Sequence, residues 1–255
     1  MDRRIWIVPV NDGEAVEIAR LLTEQGERVL CSSQKWGATW ADLEPETQRE
    51  LADFHGGEII GIELGGGNSY GARNIDHHRY SGDDRWNPLS SLEQVAALLG
   101  LPLGRRRQLV SANDRGFIPE MEAMGASREE IADIRCQDLR AQGVTEEQER
   151  LQRIEVEAAE VHDGLYVVPS LFDPPTAHSD ILYLEKHARK WLIQQPSVWS
   201  YSGPRRDQLA NAGFPERHWA GGGSNSGYFG IQNPGPESKR RIMDLLRSGA
   251  VGAAY

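Results

Sequence analysis

The chain has 255 residues, of which 39% are hydrophobic and 26% charged, a composition typical of a soluble protein with one large or two modest domains. Its net charge of −10 argues against a protein that binds long nucleic acid, because neutralisation of phosphates supplies most of that affinity. No apolar run reaches the roughly 18 residues of a membrane span, no signal peptide is evident, and the two cysteines fit no metal or disulfide pattern, so a cytoplasmic protein is expected.

The first hundred residues alternate between strand and helix patterns. Short β-branched or apolar runs predict strands at residues 5–10, 28–31 and 58–64. Helical spacing and glycine ends predict helices at about residues 15–22, 46–54 and 91–99. This alternation predicts a mainly parallel sheet flanked by helices, in which ligands collect at the carboxyl ends of the strands.

A helical connector and a smaller domain are predicted to follow. Capping boxes at Ser127-Arg128-Glu129-Glu130 and Thr145-Glu146-Glu147-Gln148 begin two helices. The second is expected to end near Gly164 and to bury one face, made of Leu151, Ile154, Ala158 and Val161. The remaining residues predict an α/β domain with a mixed sheet. Its expected elements are strands at 165–168 and 197–201, helices at 181–191 and 237–246, and a flexible loop at 221–227. The expected division is therefore 1–125, 126–163 and 164–255.

Two groups of carboxylates follow predicted strands. Asp12 and Glu14 lie two residues apart where the first strand turns into a helix, and hard divalent cations prefer such oxygen ligands. The alternative is the ordinary preference of helix N-termini for acidic residues. Glu63 ends an apolar strand before three glycines, where a carboxylate can bridge two metal ions, although strand ends are often simply polar.

Two further groups, Asp76-His77-His78 and Asp114, are also expected to follow strands. In Asp76-His77-His78, one imidazole can bind a metal, the aspartate can orient a ring and the other histidine can contact phosphate. A pair of histidines is also a common surface feature. Asp114 again follows an apolar stretch, and its alternative role is capping or turn formation.

The order of these groups over residues 5–116 resembles the four motifs of the DHH phosphoesterase superfamily, and Asp76-His77-His78 is the most specific part. That superfamily includes single-strand exonucleases, oligoribonuclease and dinucleotide phosphodiesterases, and manganese-dependent inorganic pyrophosphatases. Residues 219–230 are similar to the glycine-rich motif of the accessory DHHA1 domain, which forms part of the substrate-binding wall. The substrate-binding residues implied by this similarity are Gly221, Gly222, Gly223 and Ser224.

The resemblance also implies a role for each group. One divalent metal, usually Mn²⁺, would be held by Glu14, Glu63, His77 and Asp114. Asp12 would contribute to a second site, with Glu63 bridging the two ions. Asp76 and His78 would have catalytic roles, Asp76 by orienting a ligand and His78 by facing the phosphate. Water activated by the metal would then hydrolyse a phosphoester or phosphoanhydride bond in a small phosphorylated or (di)nucleotide-like substrate.

The chain departs from the superfamily pattern at four positions. Val8 stands where a metal-binding histidine is usual, Glu14 and Glu63 replace aspartates, and Ser224 replaces a histidine. An extra methylene extends a carboxylate by about 1.5 Å, which matters where ~1 Å costs ~100-fold in rate. These departures predict a diverged member with one retained metal site and a weakened second one.

Three functions fit this pattern: a metal-dependent phosphoesterase, a diverged member that binds a nucleotide or phosphate without turnover, and a metalloenzyme acting on another metabolite. The basic run Arg105-Arg106-Arg107 is either a solvated surface turn or a phosphate-binding patch. The sequence leaves the exact substrate and the oligomeric state open.

Overall fold

Strand β1 (Arg3–Pro9) lies inside a parallel sheet whose order is β2-β1-β3-β4. Its neighbours are β2 (Arg28–Ser32) and β3 (Gly57–Ile62), and β4 (Arg73–Ile75) extends the edge beside β3. The computed structural model describes residues 3–67, 70–78, 87–221 and 227–247. Four consecutive residues of β1, from 5 to 8, are fully buried, as expected for a parallel strand covered on both faces.

The helices described in this first unit, residues 1–143, cover the sheet. They are α1 (Gly13–Glu24), α2 (Pro45–Ala52), α3 (Ser91–Leu99), α4 (Arg105–Ala123) and α5 (Arg128–Ala141). Helix α3 has the predicted bounds, because a capping box from Ser90 begins it and Gly100 ends it in the left-handed conformation. Helix α1 packs against β1, α3, α4 and α5.

Helix α4 is broken in its middle. Gly116 and Phe117 have non-helical backbone angles, and Phe117 has a φ of 60° and a ψ of −151°. Asp114 lies just before this break, so the expectation that it follows a strand is wrong. The apolar stretch before it is helical because Leu109, Val110 and Ala112 are buried within α4.

The second unit, residues 144–255, contains a mixed sheet. Its described strands have the order β5-β6-β7-β8-β10-β9, with β6 and β7 parallel and the other pairs antiparallel. The strands are β5 (Glu160–His162), β6 (Leu165–Pro169), β7 (Trp191–Gln194), β8 (Val198–Ser202), β9 (His218–Gly221) and β10 (Tyr228–Gln232). The helices are α6 (Glu146–Glu157), α7 (His178–Asp180) with a π-helical continuation (Ile181–Glu185), α8 (Arg206–Ala210) and α9 (Pro236–Arg247). These two sheets with their helices confirm the predicted α/β class.

Two predicted helices of the second unit are too long. Helix α6 ends at Glu157, and residues 160–162 pair with β6 instead. Its predicted apolar face is also wrong, since Ile154 and Val161 are about half exposed, while Gln152 is buried and accepts a hydrogen bond from the Ala177 amide. The helix predicted at 181–191 stops at residue 185, because Trp191 begins a strand that pairs with β6.

The predicted connector divides between the units, with α5 in the first and α6 in the second. Both helices begin with the predicted capping boxes, at Ser127 and Thr145. A separate connector over residues 126–163 stays a prediction. Within the described ranges, none of the helices has the length and apolar character that crossing a membrane requires.

Candidate metal centre

The sheet of the first unit brings three candidate groups to one edge. Strands β1, β3 and β4 are parallel, and Asp12, Glu63 and Asp76 all follow their carboxyl ends. Glu63 directly follows β3 and has a φ of 52°, which non-glycine residues adopt only at some cost. The Glu63 amide donates to the Ile75 carbonyl at 2.8 Å, so this unusual backbone is tied to β4.

The Asn74 side chain, from the neighbouring strand β4, holds the turn that follows Glu63. Its Oδ1 accepts from the Leu64 amide at 3.2 Å, and its Nδ2 donates to the Leu64 carbonyl at 3.1 Å. The Asn74 side-chain amide therefore continues the pairing between the strands to Leu64, two residues beyond the end of β3. It fixes the residue that follows Glu63.

Asn74→Ala should lower the free energy of unfolding by about 1–2 kcal/mol, because two backbone groups lose a partner. Urea denaturation of the metal-free protein measures this change. The matched control is Arg73→Ala at the neighbouring position, where an exposed side chain lies 4.0 Å from Glu58 and contributes little. Equal unfolding midpoints for the two variants would show that the hydrogen bonds between Asn74 and Leu64 add no stability.

The amino end of α3 holds two of the candidate carboxylates. Glu14 is 4% exposed, and its Oε1 accepts from the Leu92 amide at 3.0 Å. The Ser91 hydroxyl donates to Glu63 Oε1 at 2.7 Å. Free amides and the helix dipole both favour negative charge at a helix N-terminus. Asp12 is the N-cap of α1, where its Oδ1 accepts from the Ala15 amide at 2.8 Å.

Four side chains converge on one point: Glu14, Glu63, His77 and Asp114. Each offers a ligand atom, and these atoms all lie within 4.8 Å of one another. His77 Nε2 is 2.5 Å from Asp114 Oδ2 and 3.4 Å from Glu63 Oε1. A second grouping joins Glu63, His77 and His78. Asp12 belongs to neither grouping in the described part of the chain.

The carboxylates of this cluster repel one another in a buried place. Burial raises the pKa of Glu14 well above its usual range, and the charges of Asp114 and Glu63 raise it further. Burial likewise raises the pKa of Asp114 well above its usual range, with Glu63 and Asp12 adding to the increase. The pKa of Glu63 is also raised by burial. A cation would relieve this repulsion.

The pKa values of Asp12, His77 and His78 are shifted by different combinations of burial and neighbouring charge. Burial raises the pKa of Asp12 to about 6, and the Asp138 carboxylate adds to the increase. Burial lowers the pKa of His77, and the charge of His78 lowers it further. Burial would also lower the pKa of His78, but its hydrogen bond to Asp76 and the nearby carboxylates outweigh that effect and raise it to about 9. His77 is therefore the neutral imidazole that a metal requires.

Asp76 orients the second histidine. The Asp76 carboxylate is buried, and its Oδ1 lies 2.8 Å from the His78 amide and 3.1 Å from His78 Nδ1. This places the Nδ1 proton toward Asp76 and fixes the ring. Gln94 Nε2 donates to the Asp76 carbonyl at 3.0 Å, which ties the segment to α3.

The chemistry of the cluster fits a divalent metal ion. His77 Nε2 and Asp114 Oδ2 are both buried, and within the described residues neither has a hydrogen-bond partner, although 2.5 Å separates them. Buried polar atoms normally have a partner. Two such atoms that face one point but do not align as a hydrogen bond are expected where both bind the same ion. Three carboxylates and an imidazole are a donor set for Mn²⁺, Zn²⁺ or Fe²⁺.

The other predicted positions have different outcomes. Val8 is fully buried in β1 and offers no ligand atom. Gly221 ends β9, and its carbonyl accepts from Arg206 Nη1 at 2.8 Å. Gly222, Gly223 and Ser224 lie outside the described residues, so their substrate-binding role stays a prediction.

Sequence reasoning missed the contacts made by Ser91 and the Leu92 amide. Their signal was the capping box Ser90-Ser91-Leu92-Glu93, which marks a helix N-terminus and hence a place for an anion. The run of arginines at 105–107 does not offer a free basic patch. Each arginine pairs with carboxylates of α1 or α5: Arg105 with Glu130, Arg106 with Asp133, and Arg107 with Glu17 and Glu24.

No protein-family model and no curated protein sequence matches the chain. Two solved structures show a likeness over nearly the whole chain. One is the pGpG-specific phosphodiesterase PggH from Vibrio cholerae, with 12% identity, a TM-score of 0.42 and 97% of each chain covered. The other is an uncharacterized protein from Helicobacter pylori G27, with 10% identity, a TM-score of 0.32, and 97% of this chain and 98% of that one covered. Likenesses this weak support no statement about function, which rests on the site itself.

Proposed function

We propose that the protein is a metal-dependent phosphoesterase that hydrolyses a phosphoester or phosphoanhydride bond in a small phosphorylated or (di)nucleotide-like substrate. The observation that carries the proposal is the buried cluster of three carboxylates and one imidazole at the carboxyl edge of a parallel sheet. Ligands of such sheets gather at this edge. A carboxylate-rich site of this kind needs a cation before it can accept an anionic substrate.

Glu14, Glu63, His77 and Asp114 are the residues proposed to hold the ion, with Mn²⁺ as the expected metal. When bound, such an ion supplies a Lewis acid that withdraws electrons from a phosphoryl oxygen and makes an attacking water more acidic. Glu63 is proposed to bridge two ions, because it belongs to this grouping and the charge of Asp12 also reaches it. Asp12 is assigned to the second, weaker position because its charge reaches Glu63 and Asp114.

His78 is proposed to contact the phosphoryl group. Its side chain is 34% exposed, more than those of His77, Glu63 and Asp114. The Asp76 carboxylate holds one ring nitrogen and stabilises the charged imidazolium, which can donate to an anionic oxygen. Asp76 thus acts by fixing the ring and charge of its neighbour.

The proposed substrate is small because the chain has a net charge of −10 and its arginine run is paired with carboxylates. Gly221, Gly222, Gly223 and Ser224 are proposed to contact this substrate, as their similarity to the glycine-rich DHHA1 motif implies.

The decisive test is metal-dependent hydrolysis. Protein stripped with EDTA should release no product from dinucleotides, from bis(p-nitrophenyl) phosphate or from inorganic pyrophosphate. Addition of Mn²⁺ should restore product release for at least one of them, and Ca²⁺ should restore less because it prefers six to eight oxygen ligands. Tight binding of a dinucleotide with no product at any metal concentration would contradict hydrolysis and favour a binding protein.

A further inference from the structure

Helix α5 carries a buried ion pair that lies against two segments of the candidate metal centre. Arg135 Nη1 donates to Asp138 Oδ2 at 2.6 Å, and both side chains are less than 10% exposed. Helix α5 packs against both α1 and α4. A buried ion pair adds little net stability, because desolvation offsets the attraction between its charges. The role of the Arg135–Asp138 pair is therefore indicated by the other groups that these two side chains contact.

Asp138 holds the turn that carries Asp12 and Glu14. Its Oδ1 accepts from the Gly13 amide at 2.8 Å, and its Oδ2 also accepts from Gln142 at 2.8 Å. A side chain on Gly13 would lie about 3.1 Å from the Asp138 carboxylate, so the glycine permits this close approach. The first amide of α1 is thus satisfied by another helix.

Arg135 holds the segment that carries Asp114. Its Nη1 also donates to Asn113 Oδ1 at 3.0 Å, and its guanidinium lies over the Phe117 ring at 4.5 Å. Phe117 has a backbone conformation that is otherwise almost confined to glycine, and such residues persist only where their surroundings fix them. Arg135 therefore contacts residues on both sides of Asp114.

We propose that Arg135 and Asp138 are positioning residues that fix the Asp12–Glu14 turn and the Asn113–Phe117 segment relative to each other, so that Glu14 and Asp114 stay within reach of one metal ion. The inference rests on the proposed metal site. The Arg135–Asp138 pair links the two segments through one continuous chain of contacts, from the Gly13 amide to Asn113 and the Phe117 ring. Outer partners of metal ligands typically contribute 10- to 100-fold in metal affinity.

The test is Mn²⁺ affinity, measured by titration calorimetry without substrate. Asp138→Ala should weaken Mn²⁺ binding about 10- to 100-fold. Asp138→Asn keeps an oxygen for the Gly13 amide and should recover most of that loss. The matched control is Asp133→Ala on the same helix, an exposed carboxylate paired with Arg106, which should leave the affinity within about twofold.

Wild-type affinity in Asp138→Ala would overturn the inference. If that variant does not fold, Asn113→Ala tests the other arm and should weaken Mn²⁺ binding several-fold with an unchanged melting temperature of the metal-free protein. Unchanged Mn²⁺ affinity in Asn113→Ala would overturn the inference too. A wild-type protein that binds Mn²⁺ but hydrolyses nothing would refute the proposed function and leave this inference standing, whereas absence of Mn²⁺ binding would refute both.

Discussion

Asp114→Asn should reduce the Mn²⁺-dependent kcat/KM by at least about 1000-fold, a loss of roughly 4 kcal/mol of transition-state stabilisation. The substitution keeps the shape of the side chain and removes the charge that meets the ion beside His77. Asp114 Oδ2 is buried 2.5 Å from His77 Nε2, so the lost charge lies directly beside the imidazole ligand. The measurement is the initial rate on the best substrate, over a range of Mn²⁺ concentrations.

The same variant should melt no lower than wild type when both are metal-free, because the neutral amide removes repulsion from Glu63 and Asp12. A loss of activity with an equal or higher melting temperature separates ligand loss from unfolding. His77→Ala should lose activity to a similar extent. Asp133→Asn makes the same chemical change at an exposed position of α5 and should retain the wild-type rate. Mn²⁺-dependent activity within tenfold of wild type in Asp114→Asn would remove Asp114 from the metal site.

The predictable part of the fold was the part where local signals agree. Helix α3 could be placed to the residue, because a capping box at one end and a left-handed glycine at the other leave one consistent solution. Strands β1 and β3 were predicted because fully buried parallel strands read as continuous apolar runs. Strand β4 was not predicted, because three residues are too few to show a strand pattern and its pairing with β3 defines it.

Errors arose where tertiary contacts override local pattern. Ile154 has the spacing of a buried helical residue, yet the buried positions of α6 are Gln152 and Val156, and Gln152 satisfies the Ala177 amide. Trp191 begins a short apolar run, Trp191-Leu192-Ile193, and its pairing with β6 makes it a strand residue. Short apolar runs do not distinguish a buried helix from a buried strand.

For the site, the family resemblance implied which side chains would meet, and the structure supplies what holds them. Glu14, Glu63, His77 and Asp114 are spread over a hundred residues and still converge. The sequence could not reveal Asp138, since its contact with Gly13 spans 125 residues and no local pattern marks it. The raised pKa values also depend on burial and on distances between side chains, which no single segment encodes.

The free energy of unfolding of the metal-free protein should fall as the pH rises from 5 to 7.5, by on the order of 2 kcal/mol. Burial raises the pKa of Asp12 to about 6, and those of Glu14, Glu63 and Asp114 are raised by the same cause. Groups with a raised folded-state pKa bind protons more tightly when folded than when unfolded, where carboxylates titrate at roughly 4. Their stabilisation is complete below the unfolded value and is lost as the pH passes through the folded value.

Two histidines modify this slope. The pKa of His78 is raised to about 9 by Asp76 and the nearby carboxylates, which outweigh its burial, so its stabilisation is lost in the same direction above roughly pH 6.5. Burial lowers the pKa of His77, and its contribution has the opposite sign, being lost as the pH falls. The contributions of the four carboxylates outweigh that of His77, so the free energy of unfolding falls toward neutral pH.

Mn²⁺ should reverse this pH dependence, because it binds the deprotonated carboxylates and the neutral imidazole. At 100 times the dissociation constant, the ion adds about 2.7 kcal/mol to the free energy of unfolding. The gain in melting temperature at a fixed Mn²⁺ concentration should therefore be larger at pH 7.5 than at pH 5.5. Urea and thermal unfolding at constant ionic strength measure both effects, and Asp114→Asn should flatten the metal-free slope and abolish the gain. A metal-free protein that grows more stable from pH 5 to 7.5, or an equal Mn²⁺ gain at both values, would mean that these carboxylates do not share one buried cation site.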